Sequence, residues 1–560
     1  MELQSVIDPK TATSAIELQD ASERDQAAQT STSSQEQARA EEESGSAADE
    51  ESENVHDPTG IRFALLFICL FLGNFFVGYD SSCIGTLSPV ITNQFNALSD
   101  LGWYQTAYLL ALSAPMLIFG RLYSFYSMKT LYMSSIFVFV VGTVLTAAAP
   151  TSTAFIMERA LSGLGAASIN AGIYIIIAHT TSLERRPIFL AICGGVGCAA
   201  LAFGPLISGT IAHYSSWRVC FYIIIPLGVA IIVIVFFSID HIRRPENGHL
   251  NRKARLERLD LKGFGIEVPM TVCLVLALQW AGTVYSWANS RIILLLAMAF
   301  VLLAIFVVVE HRAGDNSMVP LKMLRQRTVA FASLITFCNF ATLWVLAYYL
   351  PLYFQAVRGA STFGSSLMYL PLAVAMAITA LIGGPLTSFI GYYSPVLMLG
   401  SVFAAVAVGL ISTFTPNTGA GEWISYQILY GIGIGMAFQP PFIAVQTVLD
   451  DSTVPMALVL LSFTQIFGGI VVLSIAQNVF LNRLTRNLAI EVPGLDPNSV
   501  LNNGATGLIE AVPAQFRDRV LGAYNGALVN VFHIALGLAC LAVVSTLGIE
   551  WKSVKKGKNR

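Results

Sequence analysis

From residue 61 onward the chain is a succession of apolar runs, each about as long as a helix must be to cross roughly 30 Å of hydrocarbon. The predicted spans are 62–84, 102–123, 130–150, 154–178, 187–212, 219–239, 263–282, 291–311, 328–354, 364–390, 395–415, 423–447, 455–481 and 526–549. Two deviate from the pattern: the seventh carries Glu267 and Pro269, and the thirteenth has a ragged end. A water-facing domain carries about a quarter charged residues. Here only 12% of 560 residues are charged and 55% are hydrophobic, too little charge to clothe a soluble surface. The chain is expected to be an all-α polytopic membrane protein with fourteen transmembrane helices.

Charge is unevenly placed. Of 34 acidic and 32 basic residues, fifteen and three fall in 1–57, leaving 19 and 29 for the rest. The tail 1–57 is rich in Ser, Ala, Gln and Glu and poor in aromatics, so it cannot bury enough apolar area to offset the entropy of ordering. It is expected to be a disordered, acidic, cytoplasmic tail, with a regulatory or trafficking role as the alternative. The bases set orientation rather than mark a nucleic-acid surface. Loop 6–7 holds Arg243, Arg244, Arg252, Lys253, Arg255, Arg258 and Lys262, and loop 8–9 holds Arg312, Lys322, Arg325 and Arg327. Arg185 and Arg186 lie in loop 4–5, Lys129 in loop 2–3, and Lys552, Lys555, Lys556, Lys558 and Arg560 at the end. Loops 1–2, 3–4 and 11–12 have none. Basic loops face the cytoplasm, so an even number of spans with both termini inside accounts for the pattern. The long outer loop 482–525 has amphipathic character near Val512–Leu521, which is expected to lie on the membrane surface.

The N-terminus is acidic and polar, with no secretory leader pattern, so the first span is expected to serve as its own insertion signal. The eight cysteines form no CxxC pair or Cys/His cluster and read as small apolar packing residues. No metal site, cofactor site or nucleophile–base pair is visible. No GxxxxGK[ST] loop occurs either, so ATP is not the expected energy source. An ion gradient remains, and attention falls on charges inside the spans. Each costs at least about 2.5–3.5 kcal/mol in the membrane and therefore has a partner or a task.

Asp80 lies about 18 residues into span 1, roughly 27 Å from its start at 1.5 Å per residue. Glu158 and Arg159 lie near the start of span 4, which runs the other way. Asp80 and Arg159 thus fall in the same outer third. A carboxyl in an apolar site prefers to be protonated, and a nearby cation favours its charged form. Switching between the two settings would load and release a proton. A static ion pair is the plain alternative for Asp80 and Arg159, and Glu158 could simply face water. Span 5 carries Gly197, Gly204, Pro205 and Gly209, where small residues allow close helix approach and Pro bends the helix.

These residues resemble a known family. Gly204-Pro205-x-x-x-Gly209, followed by Ser216-Trp217-Arg218-Val219-Cys220-Phe221-Tyr222 and Pro226-Leu227-Gly228, resembles the antiporter signature of the major facilitator superfamily, in particular its fourteen-span drug:proton antiporter branch. Arg159-Ala160-Leu161-Ser162-Gly163-Leu164-Gly165-Ala166 is similar to the fourth-span motif whose arginine is implicated in proton coupling. Tyr79-Asp80-Ser81-Ser82, Pro89-Val90-Ile91 and Trp103-Tyr104-Gln105-Thr106-Ala107-Tyr108 are similar to the first-span acidic motif and the start of the second span. Leu278-Gln279-Trp280-Ala281-Gly282 with Tyr285-Ser286-Trp287 resembles the extra span pair of fungal toxin and secondary-metabolite exporters of the aflatoxin or gliotoxin efflux-pump type. Gly431-Ile432-Gly433-Ile434-Gly435 with Gln439-Pro440-Pro441 and Gln446 also fits. The resemblance covers about 60–550.

The resemblance implies a six-helix bundle over 58–240, a segment 241–327 with a basic loop, two inserted spans and a linker, a second six-helix bundle over 328–550, and a basic cytoplasmic tail 551–560. It implies a substrate between the bundles, exposed to alternate sides by rocking. Candidates to line that cavity are Gln105, Tyr108, Asn170, Asn339, Trp344, Tyr348, Gln439 and Gln465. Amides and aromatics suit neutral or weakly charged amphipathic molecules. The family's loop 2–3 gate has an aspartate after Gly-x-Leu and then a basic cluster. Here the stretch from Gly120 and Arg121 to Lys129 has Ser124 at the acid's place, which leaves that loop without the acid half of a latch. Lys129 is expected to cap span 3 or contact lipid head groups.

The expected function is secondary active export of a drug, toxin or secondary metabolite by proton antiport at the plasma membrane. The expected partners are a small-molecule substrate, protons and the lipid bilayer, with no nucleic acid, and the protein is expected to act as a monomer. The alternatives are a nutrient, amino-acid or siderophore carrier at the plasma or vacuolar membrane, and a non-transporting receptor on the same fold.

Overall fold

The computed structural model describes residues 60–181, 186–238, 259–282, 284–314, 317–318, 321–450, 453–492 and 514–553. Within them fourteen helices are long and apolar enough to cross a membrane. Spans 1 to 6 are Ile61–Phe95, Trp103–Tyr123, Met128–Ala148, Ser152–Ile177, Ile192–Tyr214 and Val219–Phe237. Spans 7 and 8 are Leu261–Trp280 and Ser290–Ala313. Spans 9 to 14 are Arg327–Val357, Thr362–Thr387, Tyr393–Ile411, Ala420–Val448, Met456–Glu491 and Arg517–Thr546. The pattern predicted from hydropathy is thus the observed one, because in lipid only a helix satisfies its own backbone donors and acceptors. Span 7 is helical throughout despite Glu267 and the internal Pro269. The tail 1–57, Arg185, the loop bases from Arg243 to Arg258 and the last four bases lie outside the described residues, as does 493–513 of the long loop.

Local chemistry sets the helix ends. Asn96 terminates span 1 in the left-handed conformation, which asparagine tolerates. Ser361 caps span 10 by accepting from Gly364 N at 3.0 Å. Asn289 caps span 8 in the same way through Arg291 N at 3.0 Å. Interruptions sit at Pro115 in span 2, at Gln439 before Pro440 in span 12, and at a π-helical turn, Tyr353–Val357, ending span 9.

The outer ends of spans 13 and 14 differ from expectation. The span 13 helix continues to Glu491, and the last helix begins at Arg517. Arg517–Leu521 is therefore the first turn of a spanning helix rather than a surface-lying segment. Tertiary contact explains it: Asn487 Nδ2 donates to the Ala523 carbonyl at 3.1 Å, and the Phe480 and Tyr524 rings pack at 5.3 Å.

Two six-helix repeats are visible in how the helices pack. Span 1 packs on spans 5 and 6, and span 9 correspondingly on spans 13 and 14. Between the bundles, span 5 packs on span 10 and span 2 on span 13. These two seams exchange under the repeat once the inserted pair is skipped. Spans 7 and 8 pack on each other, and span 7 also touches spans 13 and 2, so the inserted pair flanks the second seam. Most of span 8 faces outward; Ile292, Ala299 and Glu310 are its buried residues. The start of span 1 and the end of span 14 lie at the same end, here termed the terminal end. There Tyr393 Oη donates to the Glu550 carbonyl at 2.5 Å and Phe63 packs on Phe189 at 5.7 Å.

Candidate functional site

In the half of the bundle away from the terminal end, spans 1, 2 and 4 bury one ion pair. Arg159 Nη1 donates to Asp80 Oδ2 at 2.5 Å, with both side chains wholly buried. Arg159 Nη2 also donates to the Asp80 carbonyl at 3.4 Å, and Nε to the Tyr104 carbonyl at 3.3 Å. The guanidinium lies 4.2 Å from the centre of the Tyr108 ring. Asp80 Oδ1 accepts no hydrogen bond from the described residues. A buried carboxylate with one satisfied oxygen can lose its charge more easily than one gripped on both. Glu158 does not join the pair: it is half-buried, and its electrostatic neighbour is Arg218. Successive helical residues point about 100° apart, so adjacency in sequence keeps the two charges on different faces.

Span 5 packs on span 1 of this bundle and on span 10 of the other. Gly197 faces Asn74 of span 1, and Gly204 sits against Ser82 of span 1 with no room for a side chain. Ser82 Oγ in turn donates to the Ala200 carbonyl at 3.2 Å. Five residues on, Gly209 is pressed against Ser366 of span 10, in the opposite bundle. Pro205 is buried within the helix between these contacts. The Gly-Pro signature therefore gives span 5 two close-contact edges, one on the ion-pair helix and one across a seam.

Among the cavity candidates, Gln105 is fully buried and neither of its amide atoms finds a hydrogen-bond partner among the described residues. The same holds for Asn339 Nδ2, Trp344 Nε1 and Gln465 Nε2. Trp344 and Gln465 belong to neighbouring helices, since Gly469, one turn beyond Gln465, packs on the Trp344 ring. Gln439 lines a cleft between the bundles with Tyr174, Gly194, Phe438, Phe442 and Leu458. Asn170 is half-buried. Tyr108 and Tyr348 each make specific contacts. Tyr108 covers Arg159, while Tyr348 Oη accepts from Ser88 Oγ at 3.0 Å and donates to the Leu101 carbonyl, tying span 9 to spans 1 and 2.

The bundles touch at both ends. Away from the terminal end, Gln355 Nε2 donates to the Thr86 carbonyl at 3.2 Å and joins the Tyr348 contacts. Toward the terminal end, Tyr174 stacks on Phe442 at 6.2 Å, and Gly120 faces Val459 of span 13. Arg121 turns toward the inserted pair and donates to the Ser317 carbonyl. Lys129 Nζ lies 4.7 Å from the centre of the Phe236 ring, linking the start of span 3 to the end of span 6.

Several residues that organise this site carry little or no signal of that role in the sequence. Ser88 and Gln355 bridge the bundles, with polarity within apolar runs as their only signal, and Thr86 does so through its backbone carbonyl, which has none. Gln279 of span 7 donates to Thr106 Oγ1 at 2.9 Å and Ser474 Oγ at 3.2 Å, touching both sides of the second seam. Asp260 and Glu310 read as the end of a loop and the end of a span.

The sequence matches the family model described as Major Facilitator Superfamily over residues 70–473. It is 40% identical to the MFS-type efflux pump MFS1 of Arthroderma benhamiae over 512 residues, covering 91% of this chain and 96% of that one. It is 40% identical over 498 residues to the efflux pump roqT of Penicillium rubens, covering 88% and 92%, and 37% identical over 514 residues to the efflux pump aflT of Aspergillus parasiticus, covering 91% and 99%. Among solved structures, a bacterial homologue of the human lysosomal transporter Spinster superposes with a TM-score of 0.55 at 14% identity, covering 87% of this chain and 97% of that one. The xylose transporter XylE of E. coli superposes with a TM-score of 0.53 at 13% identity, covering 89% and 99%. The packing, the buried pair and these likenesses agree: the chain is a polytopic membrane transporter of the major facilitator superfamily.

Proposed function

We propose that this protein is a proton-driven exporter of small amphipathic molecules, of the drug, toxin or fungal secondary-metabolite kind, acting at the plasma membrane with both termini in the cytoplasm. The observation that carries the reading is the wholly buried Asp80–Arg159 pair beside Gly204 of the antiporter span, in a chain whose relatives bear efflux-pump names. Protonating Asp80 would cancel the attraction that holds Arg159, so span 1 and span 4 would relax together. Span 5, tight against both span 1 and span 10, would feel that change. The unpartnered amides of Gln105, Asn339 and Gln465 and the indole N–H of Trp344 offer hydrogen bonds to a neutral molecule with carbonyl or hydroxyl groups, while the aromatic walls suit its apolar body.

The test is accumulation of fluorescent amphipathic compounds in a host lacking its own pumps. Expression should lower accumulation, a protonophore should restore it, and Asp80→Asn should behave like the protonophore while the protein still reaches the membrane. Higher accumulation in expressing cells would point to an importer and overturn the reading.

A further inference from the structure

Loop 2–3 carries Ser124 where an acid would complete a latch, yet the neighbouring Arg121 does not go without anions. It reaches from the end of span 2 to the inserted pair, donating to the Ser317 carbonyl, and its electrostatic neighbours are Asp260 and Glu310. Asp260 precedes span 7 and adopts a left-handed backbone, φ 47°. Its Oδ1 accepts from Gly263 N at 3.0 Å, capping span 7, and its Oδ2 accepts from Met318 N at 3.1 Å, pinning the stretch after span 8. Glu310, in the last turn of span 8, is 1% exposed and Asp260 8%. The two carboxylates share one small space: a Cβ placed on Gly263 would lie 2.6 Å from Asp260 Oδ2 and 2.6 Å from Glu310 Oε1.

A helix cap needs one carboxylate. A second buried beside it is repulsive unless a cation lies near; Arg121 is within electrostatic reach of both and donates to the carbonyl of Ser317, whose neighbour Met318 bonds Asp260. The residue before Arg121, Gly120, is packed on Val459 of span 13. Farther along span 7, Gln279 bonds Thr106 of span 2 and Ser474 of span 13. The inserted pair thus lies along the seam between the bundles and holds span 2 at two heights.

We propose that the inserted pair supplies the acidic half of the latch that loop 2–3 lacks: Asp260 and Glu310 receive Arg121 and keep span 2 closed against span 13 at the terminal end. Asp260 and Glu310 are positioning residues, acting through Arg121 on the state of the seam. The inference rests on the reading of the chain as an alternating-access carrier, but its test does not use transport.

Gly120→Cys with Val459→Cys makes the reporter. A Cβ at position 120 lies 4.0 Å from the Val459 Cβ, within the range a disulfide spans. Mild oxidant is added to membranes holding the full-length protein, and the linked peptides are quantified by mass spectrometry. In the reporter background, Glu310→Gln with Asp260→Asn should slow the cross-link by up to about fivefold, as should Arg121→Glu; a latch worth about 1 kcal/mol in the closed state sets that ceiling. The charge swap Arg121→Glu with Glu310→Arg should recover most of the rate, which a merely structural loss would not do. If Asp260→Asn prevents folding, Glu310→Gln alone and the swapped pair still decide the matter. A cross-linking rate unaffected by removing the carboxylates, or a swap with no recovery, overturns the latch. Absent drug export with the cross-linking pattern intact would instead count against the proposed function.

Discussion

Arg159 and Asp80, 79 residues apart in sequence, meet at 2.5 Å with no exposure of either side chain, while the second Asp80 oxygen accepts nothing from the described residues. Removing one partner of such a pair leaves an uncompensated buried charge, at a cost of about 3–5 kcal/mol. Asp80→Asn should therefore lower thermal stability in detergent as well as abolish export. Asp80→Asn combined with Arg159→Gln should recover most of the stability and none of the export. Thermal unfolding followed by size-exclusion chromatography, beside efflux from intact cells, separates the two effects.

The Gly204 contact with Ser82 predicts a steric, not chemical, defect. Gly204→Ala should reduce export at least about tenfold, because overpacking a tight helix contact costs about 1–3 kcal/mol and shifts the helices. Ser82→Gly in the same chain should restore a substantial part of it. Export of a fluorescent substrate, normalised to protein in the membrane, checks the pair.

Tyr348 closes the bundle end away from the termini through Ser88 and the Leu101 carbonyl. Tyr348→Phe leaves the Leu101 carbonyl without its donor, while Ser88 Oγ keeps the Ile84 carbonyl at 2.6 Å; the loss costs about 1–3 kcal/mol, or roughly a tenfold shift toward the state open at that end. Labelling of Ser366→Cys, buried beside Gly209 in this state, by a polar maleimide should speed up by about that factor.

The helices and the candidate pair were legible in the sequence for the same reason. Apolar runs of spanning length have no alternative to the helix in lipid, and a charge inside one is conspicuous. That Asp80 and Arg159 touch was only implied by their equal depth; the contact depends on which helices are neighbours, which is a property of topology. Hydropathy misses the ends of spans 13 and 14 because tertiary contact extends both helices there: Asn487 bonds the Ala523 carbonyl and Phe480 packs on Tyr524. Asp260 and Glu310 went unread because one resembles a loop residue and the other the polar end of a span. Each gains meaning only when the inserted helices pair and bring Gly263 between them.

The unpartnered amides predict changes of selectivity rather than of energetics. Gln105→Leu and Gln465→Leu should each alter the rank order of exported compounds, with changes of about tenfold for molecules that lose a hydrogen bond. Proton dependence should be kept. A panel of resistance profiles, with and without a protonophore, distinguishes this from a general loss of activity.

Gln279 ties the inserted pair to both sides of its seam. Gln279→Leu removes two hydrogen bonds, yet the helix keeps its packing, so membrane insertion should be unaffected. Export should fall severalfold if the seam must reset in each cycle. Surface labelling and initial efflux rates measured on the same cells test this.

The two edges of span 5 have a mechanical consequence. Gly204 and Gly209 are five residues apart, about 7.5 Å along the axis at 1.5 Å per residue, and each is pressed against a different bundle. A displacement at one edge reaches the other as the tilt of a single stiff rod, with no chain of side chains to relay it and none to lose motion in slack. In such a lever the gain is set by the spacing of the two edges along the rod. Moving the second glycine contact by one turn would change how far the other bundle travels without altering a single contact at the ion pair.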